Sequence, residues 1–323
     1  MVASPGSKIM VRRGVVYVKP RDGDPVPVTA DVELLVLATG AVSISGRALR
    51  RLAELGVRVL VLGQRGQVVG DLRPVDRVNK TIEARIAQYR AIVSGASILY
   101  AAEIVYSKIV NQARVVRYLA KSRREPWARE QSYRIEEYAS RIRERLEKGT
   151  LDVDGLRGLE AHAAQRYWQL IASLMPGDWG FHGRNPLAGD PFNTALNYSY
   201  AILYGIVYDA LIVAGLDPYA GLMHTPKSGK ESLVYDYSEM YKPLIDKELV
   251  LKLKPGDVEL IGGSLTYNSR RTLSRIVLET LRQYYSDSTG KRRRLRDHIY
   301  AYAWSLAMSL RELRSYDGFK VRL

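Results

Sequence analysis

The hydrophobic pattern of this chain changes its period once, and that change constrains the fold more than any other feature. The early stretches "VRRGVVYVKP" and "ADVELLVLATG" alternate or run β-branched and apolar, as strands do. After "RPVDRVNK", at residues 73–80, the apolar residues from Ile82 to Val93 follow helical spacing instead. The pattern predicts an α+β protein, with a small β-sheet domain over residues 1–77 and a larger all-α domain over residues 78–323.

Two helices are predicted with particular clarity. The stretch "SGRALRRLAELG" is a short helix among strands, which Ser45 can cap and Gly56 can end. Its strand–helix–strand order permits a Rossmann-like fold, but no GxGxxG opens the helix, so a small β-rich domain is preferred. Residues 193–215, "NTALNYSYAILYGIVYDALIVAG", are apolar nearly all round and predict a buried central helix rather than a membrane span.

Charge and cysteine content narrow the classes of function. The chain has 323 residues, 49 Lys and Arg, 34 Asp and Glu and a formal net charge of +15, which favours a polyanionic partner. A merely soluble or ribosome-associated basic protein is the alternative. The absence of cysteine excludes disulfides, zinc–thiolate sites and a cysteine nucleophile. The first residues are unlike a signal peptide, so we expect a cytoplasmic protein that does not associate with membranes.

The stretch "GLMHTPKSGKESLVYDYSEMYKP" holds the best candidates for chemistry. Asp236 and Glu239 are three residues apart, which places two carboxylates on one face of a short helix that we expect to end at Pro243. His224 precedes a loop that can fold it back toward them, and Glu160, mid-helix among small and apolar residues, is a candidate further ligand. Such a set suits Mn²⁺ or Mg²⁺. The same spacing also fits a solvated surface helix with His224 as an ordinary loop residue.

Other polar residues favour structural roles. His162 is two positions from Glu160 and so points about 200° away around the helix. His182 is expected to be a loop residue, and His298, after the basic run "KRRRLRD", a surface or interface group. Asp209 interrupts the apolar central helix and is expected to be buried and paired.

Four stretches resemble the CRISPR-associated endonuclease (Cas-one) family, the integrase subunit of spacer acquisition. Together they extend over most of the chain, and the motif around the histidine is highly specific. They read "ISGRALRRLAELGVRVLVLGQRGQVVGDLRP", "GLEAHAAQRYWQL", "DPFNTALNYSYAILYG" and "AGLDPYAGLMHTPKSGKESLVYDYSEMYKPLID".

The resemblance implies a catalytic set. Glu160, His224 and Glu239 match the family's metal-ligand positions, and Asp236 matches the adjacent acidic position, as a ligand or as a group that orients one. Some family members have Asp where this chain has Glu239. Arg184, in "GRNPLAGDP", matches part of an arginine–proline–proline run before the next helix, which implies a DNA contact.

Basic residues are candidates for further phosphate contacts. Arg292, Arg293 and Arg294 lie in "KRRRLR", at the predicted start of a helix, where positive charge opposes the helix dipole. Phosphate contacts would compensate for that cost, and a solvated face is the alternative. Given the resemblance, Lys227 and Lys230 of the glycine loop are expected near a metal-bound phosphate.

The function implied by the resemblance is a metal-dependent DNA endonuclease and integrase of CRISPR adaptation, part of antiviral defence. It would join protospacer 3′-hydroxyl ends to the repeat array by transesterification, using Mn²⁺ or Mg²⁺. Its implied partners are double-stranded DNA, a second copy of the chain and the small Cas-two subunit. The alternatives are a non-catalytic basic nucleic-acid-binding protein and a branched-DNA repair nuclease unconnected to CRISPR.

Overall fold

The structure is a computed structural model that describes most of the chain. The boundary predicted between residues 77 and 78 falls outside the described residues, as do His224 and Lys227, so these three predictions stay predictions. The described residues are 2, 4–29, 32, 34–63, 68–74, 82–175, 177, 179–223 and 229–323.

The N-terminal region contains two small sheets and one helix. One sheet has the strand order β3-β2-β1-β5 and the other the order β4-β6-β7, and each combines parallel and antiparallel pairs. Apolar side chains from both sheets and the helix share one small core. The elements are β1 (Ser7–Arg12), β2 (Val15–Lys19), β3 (Val26–Pro27), β4 (Leu34–Leu37), β5 (Val42–Ile44), α1 (Gly46–Glu54), β6 (Arg58–Leu62) and β7 (Val68–Leu72).

Helix α1 forms for the local reasons that the sequence indicates. The Ser45 hydroxyl accepts the backbone N–H of Ala48 at 3.2 Å, so it satisfies one of the free donors of the first turn. Ala48 and Leu52 face the core, and Gly56 follows with a left-handed φ of 71°, which glycine adopts without strain. The mixed sheets exclude a doubly wound fold and confirm the preference for a small β-rich region.

The rest of the chain is mainly helical, which confirms the α+β class. Five short strands also occur among the described residues of this part, each too brief to leave a period in the sequence. The elements are α2 (Glu83–Val93), α3 (Ser97–Arg123), α4 (Pro126–Glu147), α5 (Val153–Leu174), α6 (Pro191–Val213), α7 (Ser232–Ser238), α8 (Lys242–Lys252), β8 (Leu260–Ile261), β9 (Ser264–Leu265), α9 (Tyr267–Arg282), β10 (Tyr284–Asp287), β11 (Arg292–Arg294), α10 (Leu295–Arg311) and β12 (Val321–Arg322).

Helix α6 is the buried central helix that the sequence predicts. The Asp190 carboxylate accepts the backbone N–H of Asn193 at 2.9 Å, and Pro191 occupies the first turn, where its missing N–H costs nothing. Within the described chain, α6 is the one unbroken helix with the length and apolarity of a membrane span, yet 67% of its most apolar window is buried inside the protein. It is therefore a core helix.

Polar contacts join α6 to the β-rich region. The Arg58 guanidinium donates to the Gly205 carbonyl at 2.7 Å and to both carboxylate oxygens of Asp71 at 2.7 Å. Asp209 lies 3.5 Å from Arg58 and 3.3 Å from Arg73, so this carboxylate is paired, as expected. These contacts fix the β-rich region against the central helix.

Candidate active site

Two carboxylates from separate helices converge on one ammonium group. Glu160 lies in the middle of α5, Glu239 directly follows α7, and Lys108 projects from the middle of α3. The Lys108 Nζ lies 2.7 Å from Glu160 Oε1 and 2.6 Å from Glu239 Oε2. All three side chains are mostly buried, with 12–17% of their surface exposed. The structure therefore brings together Glu160 and Glu239, two of the candidate ligands that the sequence indicates.

A second lysine balances the charge of this cluster. The Lys242 ammonium pairs with Glu239 Oε1, the oxygen that Lys108 leaves free. Burial opposes ionisation of Glu239, but Lys108 and Lys242 outweigh that penalty and lower its pKa to about 2. Burial likewise disfavours both ammonium groups, but the carboxylates overcome it and raise the pKa of Lys108 and of Lys242. The cluster thus pairs two carboxylates with two ammonium groups.

Asp236 contacts a different part of the chain. It is buried, with 2% of its surface exposed, and its Oδ2 accepts the backbone N–H groups of Leu222 at 2.8 Å and Met223 at 2.9 Å. These two residues come directly before His224. Asp236 therefore fixes the backbone that leads into the histidine, as a group that orients a ligand would do.

The predicted helix around Asp236 is wrong in its limits. Helix α7 ends at Ser238, well before Pro243, so Asp236 lies near the end of the helix and Glu239 follows the helix directly. Pro243 belongs to the first turn of the next helix, α8, instead of ending the first one. The physical reason is that the first turn of a helix tolerates proline, because the N–H groups there have no intrahelical partner.

The described donors fit a cation. Glu160 and Glu239 direct oxygens at one positive charge, and the Lys108 ammonium stands where a metal ion could lie. Among the described residues no group of three or more His, Asp or Glu side chains forms a complete metal site. His224, the expected third ligand, is outside that set. Hard carboxylate oxygens of this kind suit Mg²⁺ or Mn²⁺.

The turn that carries Glu239 is held from behind by Asn111, a buried residue of α3. The Asn111 amide donates to the carbonyls of Met240 at 2.8 Å and Phe319 at 2.9 Å. Its oxygen accepts the backbone N–H of Val321 at 2.9 Å. Because Met240 adjoins Glu239, this side chain connects α3, the α7–α8 turn and the segment that forms β12.

Two of the residues predicted to contact DNA, Arg184 and Lys230, differ from each other in burial and in contacts. Arg184 is half-buried and donates to the side-chain oxygens of Asn193 at 3.0 Å and Asn197 at 2.6 Å. Its guanidinium also lies 5.5 Å from the ring centroid of Tyr200, so it organises the start of α6. Lys230 is exposed, and its ammonium lies 5.8 Å from the ring of Tyr235.

The basic run from Arg292 to Arg294 forms strand β11, and Arg294 is the N-cap of α10, so the run directly precedes a helix, where its positive charge opposes the helix dipole. Arg292 and Arg294 are exposed. Arg294 donates to Asp297 at 2.8 Å, which offsets part of its charge.

The expectation that His298 is a surface or interface group is wrong: His298 is fully buried and lies 2.9 Å from the Tyr285 carbonyl.

Two residues of the cluster were missed by sequence reasoning. Lys108 lies between apolar residues of α3 in "IVYSKIV", and a charge in such a stretch signals a partner. Lys242 is three residues after Glu239, a spacing at which opposite charges commonly pair. Both signals are present in the sequence, but neither identifies Glu160 as a partner of Lys108.

The chain combines a small β-rich region fixed to a helical region with two mostly buried carboxylates that converge on one cation. Its net charge is strongly positive. The family model of CRISPR associated protein Cas1 matches residues 1–257. The chain therefore belongs to the Cas1 family, as the resemblance predicts.

Individual proteins agree with this membership. The CRISPR-associated endonuclease Cas1 of Hyperthermus butylicus is 54% identical over 325 residues, covering 99% of this chain and 98% of that protein. A casposase bound to integration product has a TM-score of 0.80 at 19% identity, with 97% and 91% coverage. A chain of a Cas6-RT-Cas1–Cas2 complex has a TM-score of 0.73 at 20% identity, covering 99% of this chain and 35% of that one. The two structures share the fold.

Proposed function

We propose that this chain is a metal-dependent DNA endonuclease and integrase of CRISPR spacer acquisition. A 3′-hydroxyl of protospacer duplex loses its proton and attacks a phosphodiester of the repeat array. One P–O bond forms and another breaks, and the released 3′-oxygen of the repeat strand takes up a proton to become a new hydroxyl. With water as the nucleophile, the same site cleaves DNA. Support comes from family membership, a relative named as an endonuclease and a structural neighbour bound to integration product.

The observation that carries the proposal is the convergence of Glu160 and Glu239 on one positive charge. An ammonium 2.7 and 2.6 Å from the two carboxylates demonstrates that their oxygens can surround a cation. Glu160, Glu239 and His224 would hold Mn²⁺ or Mg²⁺, which when bound supplies Lewis-acid polarisation of a phosphate oxygen.

The surrounding residues position this set. Asp236 accepts the two backbone N–H groups ahead of His224, so it orients the segment that presents the histidine. Lys242 neutralises one oxygen of Glu239 and limits the repulsion between that carboxylate and DNA phosphates. Asn111 keeps the turn that carries Glu239 against α3.

DNA is held through its phosphates, largely without reading bases. The exposed Arg292, Arg294 and Lys230 are available for such contacts, together with Arg293 and Lys227. Arg184, already bound to two asparagines, acts mainly by ordering the loop before α6. Antiviral defence by spacer acquisition takes place where foreign DNA enters, so we place the protein in the cytoplasm.

The proposal also includes how copies of the chain assemble with a partner subunit. Two copies of the chain pair through their β-rich regions, and such dimers flank a dimer of the small Cas-two subunit. Support for this partner is that a Cas6-RT-Cas1–Cas2 complex contains a chain of the same fold.

The test is plasmid integration of a 3′-hydroxyl duplex in Mn²⁺, with and without a chelator. Glu160→Gln, His224→Ala and Glu239→Gln should each abolish joining and leave DNA binding within a few-fold. The control is Glu248→Gln, which removes a buried carboxylate paired with Lys247 at 2.9 Å outside the site; it should join DNA normally.

Three results would overturn the proposal. They are wild-type joining by His224→Ala, joining that survives chelation, and a wild-type protein that binds duplex DNA but never alters it. The last result would favour a non-catalytic binding protein. Cleavage of branched DNA without any joining would instead favour a repair nuclease.

A further inference from the structure

Lys108 occupies the position where the two candidate ligands converge. Its ammonium contacts Glu160 Oε1 and Glu239 Oε2 at ion-pair distances and is buried with them. The residue is in the middle of α3, a 27-residue helix whose neighbouring positions Ser107 and Ile109 are both fully buried. The ammonium is therefore brought to the carboxylates by a fixed element of the core, not by a surface loop.

The charges of the described cluster already balance. Glu239 gives one oxygen to Lys108 and the other to Lys242, and Glu160 gives an oxygen to Lys108. Two carboxylates are thus neutralised by two ammonium groups. A divalent cation that took the same oxygens would add two positive charges beside them, and like charges this close in a buried site repel strongly. The cation can therefore bind only if an ammonium leaves.

We propose that Lys108 is a resident counter-ion that competes with the divalent cation for Glu160 and Glu239. This inference rests on the metal site of the proposed function. Before the metal binds, the Lys108 ammonium balances charge on the two carboxylates. Its displacement adds to the free-energy cost of metal binding. The site is consequently stable without metal and binds metal more weakly than its ligands alone would allow. Lys242 pairs with Glu239 Oε1 and not with Glu160, and its ammonium also lies 5.1 Å from the ring centroids of Tyr200 and Tyr204, so it stays in place.

The test is direct Mn²⁺ titration of the full chain without DNA, by calorimetry and by the electron paramagnetic resonance signal of free Mn²⁺. Lys108→Met removes the charge at similar length and should bind Mn²⁺ at least about tenfold more tightly than wild type, within the usual range of coupling between two ligands. Without metal this variant should melt at a lower temperature, because two carboxylates then lack their shared partner, and Mn²⁺ should raise its melting temperature more than that of wild type.

Two further variants keep the result interpretable. Lys108→Gln retains hydrogen-bond donors without charge, so it should fold even if Lys108→Met does not, and should also bind Mn²⁺ more tightly. Lys247→Met is the matched control. Lys247 is more deeply buried than Lys108 and contacts Glu248 at 2.9 Å, so its loss should lower stability without changing Mn²⁺ affinity.

The outcomes separate this inference from the proposed function. If folded Lys108→Met or Lys108→Gln binds Mn²⁺ no more tightly than wild type, while Glu239→Gln abolishes binding, the counter-ion role is wrong and the metal site stands. If Glu160→Gln and Glu239→Gln leave Mn²⁺ binding unchanged, both the metal site and the inference fail. Tighter binding in both Lys108 variants, with Lys247→Met unchanged, supports the inference.

Discussion

Asp246 provides a quantitative test of the packing around the site. This carboxylate of α8 is buried and accepts hydrogen bonds from Tyr167 of α5 at 2.8 Å and Tyr200 of α6 at 2.5 Å. Burial raises the pKa of Asp246 to about 7, although the two tyrosines, Arg184 and Lys242 all oppose the rise. The side chain thus joins the three helices at a high electrostatic cost.

The size and sign of the effect follow from the rise in pKa. A rise from 3.8 to about 7 corresponds to about 4 kcal/mol, at about 1.4 kcal/mol for each tenfold change in proton affinity. Because the folded protein holds this proton more tightly than the unfolded chain, stability contributed by Asp246 is present below pH 4 and is lost as pH rises to about 7. The pKa of Lys242 is raised, so this neighbour does not titrate in this window.

The perturbation is Asp246→Asn, whose amide can still bond both tyrosines. Its free energy of unfolding, minus that of wild type, should increase by up to about 4 kcal/mol between pH 4 and pH 7.5. Guanidinium unfolding curves at half-unit pH intervals give the free energy of unfolding of both proteins. Contributions from ionisable groups that the two proteins share cancel in the difference. A difference that stays flat, or falls as pH rises, would refute the reasoning.

Further predictions concern the supports of the site, the basic strand and the domain boundary. Asn111→Ala leaves three buried backbone groups without their partner and should cost about 3 kcal/mol or more in urea unfolding, with a loss of strand transfer; unchanged stability would mean that water replaces the amide. Asp236→Asn keeps one acceptor and should reduce joining less than Glu239→Gln; equal losses would make Asp236 a ligand. Alanine at Arg292–Arg294 should flatten the salt dependence of duplex binding by up to about three counterions, and an unchanged slope would assign the strand to solvent. Limited proteolysis should first cut near residues 76–80, where the hydrophobic period of the sequence changes, and a first cut inside α6 would contradict the buried central helix.

Local signals account for much of the fold. Ser45 and Asp190 cap α1 and α6 as short-range rules require, and the nearly continuous apolar surface of α6 predicts its burial. Residue context and spacing make Glu160 and Glu239 candidate ligands, the resemblance supports both, and the structure brings these two carboxylates to one point. These features depend on neighbouring residues or on a specific motif, so the sequence is sufficient to predict them.

The remaining features depend on contacts between distant parts of the chain. Lys108 is 52 residues from Glu160, and only the packing of α3 against α5 reveals their ion pair. His298 follows a basic run that predicts exposure, but Phe319 and Tyr285 bury it from elements that the local pattern does not reveal. Pro243 is equally compatible with ending one helix and starting the next. Tertiary packing decides each case.

The most direct measurement is the position of Mn²⁺, from anomalous scattering at the manganese edge, in crystals grown with duplex DNA. The account predicts a peak bonded to oxygens of Glu160 and Glu239, with a nitrogen of His224 as a further ligand and the Lys108 ammonium displaced. A peak at other residues, or an ammonium that still bridges the two carboxylates in crystals that complete joining, would contradict it.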